Sequence, residues 1–388
     1  MADQEAPSPS DDPLAQAREA RGTQTIEVNG RTIPLVLGHR AIRAAANDWR
    51  TFSSDAPFRV PVPSEEAVRS VRQLPIEADP PFHRQIRRLL EPIFLRPQSS
   101  DYAACIEALV QELLDQACKD GPRELVRDLA LPIQSRALAM LLGMPQSEAD
   151  IWISWGTYVF HDPFGNGGGA TLETYLRAQL DRASKQPEGT DYFCELERVR
   201  LDERALTFEE KLGIANLTFA GGRDTVINAV TKIIAHFATD PASVREASQI
   251  ERYTNLAVEE FVRFVSPLTL IGRVCLHATK LGTNHVEADS QIGLCWAAAN
   301  IDPSVFEDPT KLDLTRSPNP HVGFGSGHHS CLGSQQARVI LRSLVKALGR
   351  QIGSIEIIEA DRNIEQHSSF ERPLGYRRLV CAVREQDQ

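Results

Sequence analysis

The residues best suited to chemistry lie in one glycine-rich loop near the carboxyl end of the chain. The loop reads Phe324-Gly-Ser-Gly-His-His-Ser-Cys331-Leu-Gly333 and leads into a helical pattern over residues 335–348. Glycine adopts positive φ at little cost, so the glycines at 325 and 327 predict a tight turn that presents Cys331 near a helix start. Backbone N–H groups at a helix start stabilise an anion. We therefore expect the pKa of the Cys331 thiol to be lowered.

Three kinds of site fit this loop on its sequence alone. A zinc site could use His328, His329 and Cys331, but the spacing is crowded and no fourth ligand is evident. A nucleophilic cysteine would need a separate base and an orienting residue, which spacing cannot identify. A thiolate on haem iron needs N–H donors around the sulfur and an aromatic neighbour, and the loop contains these parts.

A pair of glycines, Gly221 and Gly222, interrupts an apolar helical pattern. Each glycine inside a helix costs about 1 kcal/mol relative to alanine, so the pair indicates a bend or a need for space. Asp224 and Thr225 follow within one turn. A threonine that hydrogen-bonds to a preceding carbonyl can open a groove in a helix, and a diatomic ligand would fit there.

Glu260 and Arg263 stand three residues apart on a further helical pattern. By itself this spacing is typical of an exposed ion pair that contributes roughly a few tenths of a kcal/mol. Only the neighbouring motifs can give the pair another role.

Four motifs, in this order along the chain, resemble the signatures of the cytochrome P-450 family. They are Asp79-Pro-Pro-Phe-His83 with Arg87, similar to DPPxHxxxR; Ala220-Gly-Gly-Arg-Asp-Thr225, similar to the oxygen-binding helix motif; Glu260 with Arg263, similar to ExxR; and the loop 324–333, which matches FxxGxxxCxG. The runs 75–81 and 221–228 resemble the camphor-hydroxylase branch. Phe82 departs from the Glu common in the family, and Arg223 from a usually neutral position.

The resemblance implies a haem b cofactor with Cys331 as its iron ligand and dioxygen as co-substrate. It implies that Asp224 and Thr225 relay protons to dioxygen, and that Glu260 and Arg263 have a structural role. The residues expected to contact the haem or its propionates are His83, Arg87, Gly221, Arg273, Phe324, Gly325, His329 and Gly333.

By the same resemblance the protein should insert one oxygen atom of dioxygen into an unactivated C–H bond of a small, largely apolar substrate. The alternatives are a peroxide-driven peroxygenase, which the intact Asp224–Thr225 pair disfavours, and a non-catalytic haem-based gas sensor, for which no output segment is visible. Arg59, Arg69 or Arg72 could meet a substrate carboxylate, although a solvated loop charge is commoner. The expected substrate contacts are Phe219, Ala220, Leu268, Thr269 and Leu270, with residues 55–74 and 155–164.

Helices and a small sheet must position these motifs. Apolar periodicity predicts helices from His83 onward, over 102–117 and over 129–142. Thr207 and Glu210 form a capping-box signature for one helix of about 30 residues that ends before Pro241. Asn29-Gly30 predicts a hairpin, and alternation over 272–294 predicts short strands. We expect a mainly α fold with a minor β region: one large cytochrome P-450-like domain over residues 13–388, after a loose tail at residues 1–12.

The sequence is acidic, with 42 Lys and Arg against 52 Asp and Glu and a net charge of −10. This balance disfavours nucleic-acid and membrane partners, and without a spanning segment or basic leader we expect a cytoplasmic protein. The 388 residues leave no length for a flavin or iron–sulfur module. Electrons should come from an external ferredoxin with its reductase. We expect it to dock on a helical stripe and on the haem-contacting helix, through Arg338, Arg342, Lys346, Arg350, Arg84 and Arg88.

Overall fold

The structure, a computed structural model, describes Leu14 and residues 24–66, 69–119, 121–157, 168–281 and 284–386. The predicted tail at residues 1–12, and residues 67–68 and 158–164 of the two predicted substrate-binding stretches, lie outside this part of the chain. None of the helices in these ranges has the length and apolar character that crossing a bilayer requires.

Helices form most of the described elements, which confirms the predicted mainly helical fold. They are α1 (His39–Asn47), α2 (Phe82–Phe94), α3 (Ser100–Ala117), α4 (Leu131–Leu142), α5 (Gln146–Ser154), α6 (Gly168–Lys185), α7 (Tyr192–Arg198), α8 (Phe208–Gly221), α9 (Asp224–Thr239), α10 (Pro241–Gln249), α11 (Glu251–Val265), α12 (Trp296–Asn300) and α13 (Ser334–Gln351).

The predicted helix of about 30 residues starts and ends as expected but is not continuous. The capping box is formed: Thr207 Oγ1 accepts the Glu210 N–H at 3.1 Å, and Glu210 Oε2 accepts the Thr207 N–H at 2.8 Å. The helical run is broken between α8 and α9, where Arg223 has φ −101° and ψ −80°. The Gln134 side-chain amide donates to the Gly222 carbonyl at 3.1 Å. This hydrogen bond replaces one that the break removes.

The strands form one main sheet and three smaller ones. They are β1 (Gln24–Val28), β2 (Arg31–Val36), β3 (Phe52–Ser53), β4 (Arg123–Glu124), β5 (Arg200–Leu201), β6 (Arg204–Ala205), β7 (Leu270–Cys275), β8 (Thr279–Leu281), β9 (Asn284–Val286), β10 (Gln291–Cys295), β11 (Ile352–Gln366) and β12 (Glu371–Glu385). The main sheet has the order β1-β2-β10-β7-β3, and β11-β12-β4 form the second. The predicted hairpin is confirmed, with Asn29 and Gly30 at φ 50° and 73°.

Two large apolar cores meet near the motifs. Buried residues of α8, such as Leu212, belong to one core together with α2, α5, α6 and α7. Buried residues of α9, such as Ile227, belong to the other, together with α3, α10, α11 and α13. The cysteine loop touches both, because Phe324 packs on the second core and Leu332 on the first. The α8–α9 break and the cysteine loop both lie between the two cores.

Candidate functional site

The cysteine loop is folded as its glycines predict. Gly325 and Gly327 have φ of 73° and 74°. The Cys331 N–H donates to the Phe324 carbonyl at 2.7 Å, which closes the loop. A side chain at position 327 would be only 2.8 Å from the Ala46 carbonyl oxygen, so glycine is needed where the loop meets α1.

The Cys331 side chain is accessible. The rest of the loop, residues 323–330 and 332–335, is half-buried and lies between the two cores. Burial raises the pKa of the Cys331 thiol, while the Gly333 N–H, Arg87 and Arg338 oppose the rise. The predicted lowering of the Cys331 pKa is therefore wrong when only protein groups act on the thiol, because its loss of solvation outweighs the effect of the Gly333 N–H donor.

Four cationic or potentially cationic side chains gather beside this loop. The rings of His83 and His329 lie 4.2 Å apart between centroids. Arg87 Nη1 donates to the Ser330 carbonyl at 2.7 Å. The buried Arg273 is close enough to His83 and His329 for its charge to help lower the pKa of both rings. The structure thus brings together the four residues predicted to hold the haem propionates.

The buried nitrogens and positive charges of this cluster favour the binding of an anion. Both ring nitrogens of His83 and Nε2 of His329 are buried without a hydrogen-bond partner. Burial, followed by Arg87 and other cationic neighbours, lowers the pKa of His83 to about 4. Burial also lowers the pKa of Arg273 to about 10, although Asp79 opposes the shift. The two propionates of a haem would give these groups acceptors and counter-charges, so the residues present fit that cofactor.

The zinc alternative finds no support in the same region. Across the described ranges, no three His, Cys, Asp or Glu side chains are arranged to hold a metal ion. The loop therefore offers one thiolate rather than a set of zinc ligands.

The α8–α9 junction carries an accessible stripe on an otherwise buried pair of helices. Leu217, Ala220 and Gly221 on α8, and Asp224 and Thr225 on α9, are accessible, whereas most of their neighbours are buried. The Thr225 hydroxyl donates to the Gly221 carbonyl at 3.2 Å, which is the back-bond expected from the sequence. The two residues predicted to handle protons thus lie side by side on the first turn of α9.

Arg223 anchors this junction to α5. Its buried guanidinium donates to the Trp152 carbonyl at 2.7 Å and to the Gly156 carbonyl. Burial lowers the pKa of Arg223 to about 10, and Asp224 opposes the shift. The departure from the family pattern at this position therefore has a structural use that the sequence did not reveal.

Glu260 and Arg263 form the centre of a buried network rather than an exposed helix pair. Both side chains are fully buried, and their two hydrogen bonds measure 2.7 and 2.8 Å. Arg263 also donates to the carbonyls of Asn300 and Pro309, and Arg316 donates to Glu260. The network fastens α11 to α12 and to the chain that precedes the cysteine loop.

The predicted substrate contacts differ in burial and in their surroundings. Phe219 belongs to an aromatic core, with its ring 4.9 Å from that of Trp152, and Leu270 is buried at the start of β7 in the main sheet. Ala220 is half-buried, and Leu268 is 45% exposed. Thr269 is buried, donates to Glu365 and accepts a hydrogen bond from Arg372 at 3.0 Å.

All three arginines considered for a substrate carboxylate already have carboxylate partners. Arg59 pairs with Asp289 at 2.7 Å, Arg72 with Asp55 at 2.6 Å, and Arg69 with both Glu65 and Glu77. Arg69 is buried, so it is not the solvated loop charge that was expected. Glu77 and its neighbour Gln73 were missed, because no local pattern marks a buried polar residue.

The predicted partner residues differ in how freely they present charge. Arg84 and Arg88 are exposed on α2. Arg338 is half-buried, binds Glu259 at 2.6 and 2.9 Å, and stacks on Phe324; Arg342 donates to Asn255 at 3.3 Å. The charge of Arg338 is therefore already compensated by Glu259, and docking of a ferredoxin on the helical stripe that contains Arg338 stays a prediction.

Comparison with known proteins places the whole chain among one group of enzymes. Residues 174–348 match the family model described as cytochrome P-450. Pentalenic acid synthase of Streptomyces avermitilis is 30% identical over 363 residues, which cover 91% of this chain and 90% of that protein.

Solved structures agree over almost the full length. A structure of a carbohydrate active P-450 is 42% identical, covers 97% of this chain and 98% of that chain, and has a TM-score of 0.94. A mutant of P-450 EryK in complex with erythromycin B is 25% identical, covers 95% of each chain, and has a TM-score of 0.80.

Proposed function

Because the chain belongs to the cytochrome P-450 family of haem-dependent monooxygenases, we propose that its haem is held through Cys331 between the cysteine loop and the α8–α9 junction. The observation that carries this assignment is the cluster of buried, unpartnered nitrogens on His83 and His329 beside the only loop that presents an exposed cysteine among the described residues. When bound, haem supplies dioxygen activation: one oxygen atom enters a substrate C–H bond and the other leaves as water, with two electrons and two protons consumed.

The chain's own residues bind the haem, handle protons and hold the fold. His83, Arg87, Arg273 and His329 bind the propionates, and Arg87 also fixes the cysteine loop through the Ser330 carbonyl. Thr225 holds its proton toward the Gly221 carbonyl, and Asp224 lies one residue away to pass protons inward. Glu260 and Arg263 remain structural.

We further propose that the substrate is a carbohydrate instead of the largely apolar molecule expected from the sequence. Support comes from the carbohydrate active relative, which is 42% identical over nearly the whole chain. A second support is the polar surrounding of one predicted substrate residue, Thr269, whose hydroxyl donates to Glu365. Carbohydrate binding needs fixed hydrogen-bonding groups of this kind.

The electron donor is proposed to be a ferredoxin-type protein that docks beside the cysteine loop. A shallow concavity of about 380 Å³ is lined there by Trp49, Arg50, Arg84 and His328, among others. Arg50 stacks on Trp49 at 4.5 Å, and Arg84 and Arg88 are exposed. In a protein with a net charge of −10, such a local cationic face would attract an acidic partner.

Three measurements test these proposals. The reduced protein under carbon monoxide should show the strongly red-shifted Soret band of a thiolate ligand, and Cys331→Ser should lose it; retention of the band would refute the ligand assignment. Methyl glycosides should shift the Soret band of the ferric protein, whereas terpenoids and fatty acids should do so less. With ferredoxin, its reductase and dioxygen, the substrate should give stoichiometric oxygenated product. Shifts confined to the apolar compounds would restore the apolar substrate class.

A further inference from the structure

Two amide side chains form a buried pair next to the α8–α9 junction. Gln73 Nε2 donates to Asn216 Oδ1 at 2.8 Å, and the residues are 4% and 1% exposed. In the described part of the chain, neither amide makes another side-chain hydrogen bond, which leaves Gln73 Oε1 as an acceptor and Asn216 Nδ2 as a donor. Neither atom is among the fully enclosed unpartnered atoms. A further polar group can therefore reach both, and the pair can accept one more hydrogen bond and donate one more.

The position of the pair links it to the accessible stripe. Asn216 lies one turn before Ala220 on α8, and side chains four residues apart lie above one another on a helix. Ala220 leads directly to Gly221, whose carbonyl accepts the Thr225 hydroxyl. The unpaired donor and acceptor therefore lie at the edge of the stripe that carries the proton-handling residues.

Hydrogen bonds to α8 and to Glu77 hold the segment that carries Gln73. The Leu74 N–H donates to the Gly213 carbonyl at 3.3 Å, and the Gln73 N–H donates to Glu77 at 2.7 Å. Glu77 is in turn paired with the buried Arg69 at 2.5 Å. These contacts restrain the segment beside α8, and a restrained polar group favours tight and selective binding.

We propose that Gln73 and Asn216 form a subsite for one hydroxyl group of the substrate, an inference that rests on the carbohydrate class proposed above. A hydroxyl both donates and accepts, so it can donate a hydrogen bond to Gln73 Oε1 and accept one from Asn216 Nδ2. An ether or ketone would leave Gln73 Oε1 unpaired, and a carboxylate would face that oxygen without a proton to offer. The subsite therefore selects a neutral, hydroxylated molecule.

A thermodynamic cycle between variants and ligands tests the subsite. Soret titrations of the haem-loaded protein would use methyl α-D-glucopyranoside, methyl α-D-galactopyranoside and their monodeoxy analogues. Gln73→Met and Asn216→Leu should each weaken the better glycoside about 10-fold. The monodeoxy analogue that lacks the hydroxyl bound by this subsite should bind the wild type about 10-fold more weakly than the parent glycoside does. The variants should bind this analogue and the parent glycoside equally well.

Two controls separate this role from a purely structural one. Thr218→Val removes the 2.9 Å hydrogen bond to Tyr192 on another flank of the same helix and should leave glycoside affinities unchanged. The imidazole affinity and carbon monoxide spectrum of all variants should match the wild type. Suppose that the glycosides bind the wild type, and that removing any one hydroxyl weakens binding to the variants as much as it weakens binding to the wild type. The subsite is then refuted while the carbohydrate proposal stands. If no glycoside shifts the wild-type spectrum, the carbohydrate proposal fails, and the subsite with it.

Discussion

Thr225 and Asp224 are neighbours whose loss should have different effects. Thr225→Ala removes the hydroxyl that bonds to the Gly221 carbonyl, so haem and substrate should still bind while most reducing equivalents go to hydrogen peroxide or water. Asp224→Asn should instead slow turnover about 10- to 100-fold with less diversion. The measurement is the ratio of product formed to reduced nucleotide consumed.

A control for this pair exists two turns along α9. The Thr231 hydroxyl also donates back to a carbonyl, that of Ile227 at 2.9 Å, but it is fully buried in the core. Thr231→Val should therefore keep the wild-type ratio. Full coupling at normal rates in both the Thr225 and Asp224 variants would rule out their proton role.

Glu259 should make stability depend on pH. Burial acts to raise its pKa, but hydrogen bonds from Arg338 and His321 outweigh that effect and lower it to about 2. A carboxylate with a lowered pKa contributes its stability above its unfolded-state pKa, and the contribution is lost as the pH falls toward the folded value. Glu259→Gln should thus lower the free energy of unfolding by about 1–2 kcal/mol at pH 7, and the difference should shrink from about pH 4.5 downward.

Urea unfolding between pH 7 and pH 3.5 measures this difference. Glu359→Gln is the matched control, because Glu359 pairs with Arg378 at an exposed position and should show no measurable change. A Glu259 difference that stays constant over this range would contradict the assignment.

The break between α8 and α9 depends on side chains from two other helices. Gln134 on α4 donates to the Gly222 carbonyl, and Arg223 binds carbonyls at the end of α5. Gln134→Leu leaves the Gly222 carbonyl without this donor and should cost about 1–3 kcal/mol of unfolding free energy. Because the adjacent Gly221 carbonyl holds Thr225, the variant should also divert more electrons to peroxide.

Urea denaturation and peroxide yield together check this prediction. The control is Gln146→Leu, which removes a 3.4 Å amide–carbonyl contact at an exposed site and should change neither quantity. Wild-type stability and coupling in Gln134→Leu would show that the break needs no support from α4.

At the level of elements, local patterns predict starts and ends better than interruptions. The capping box placed the start of α8 correctly, because its hydrogen bonds join residues three apart. The break could not be placed, because the groups that satisfy it come from positions 88 and 71 residues away in sequence. The glycine pair indicated a bend, but only the folded chain supplies its partners.

Across the whole molecule, charge steering should show in the first electron transfer. Arg84→Glu and Arg88→Glu should slow reduction by a ferredoxin, more at 50 mM than at 500 mM salt, because salt screens attraction between exposed charges. Substrate-induced Soret shifts should not change. Stopped-flow reduction at several salt concentrations measures the effect.

A third variant decides between two docking faces. Arg350 is exposed at the far end of α13, on the stripe expected from the sequence. If Arg350→Glu slows reduction and the α2 variants do not, docking follows the α13 stripe instead. The paired Arg338 is unsuitable for this test, because its loss also removes the partner of Glu259.

The motif residues could be named from the sequence, whereas the polar side chains that pair near them could not. His83, Arg87, Arg273 and His329 could be named in advance, because the family resemblance assigns each of them a role. The pairing of Gln73 with Asn216 joins positions 143 residues apart and has no local signature. Charge pairing of Arg338 was likewise invisible, since helical spacing says which face a residue lies on but not what covers that face.

Substitution of Gly213 should change substrate preference indirectly. A methyl group there would come within 2.2 Å of the Arg72 carbonyl oxygen, so even alanine must push the 72–74 segment away from α8. Gln73 would move with that segment while Asn216 stayed behind. In a library screened for altered substrate preference, position 213 should therefore score as a specificity position although a glycine has no side chain with which to touch a substrate.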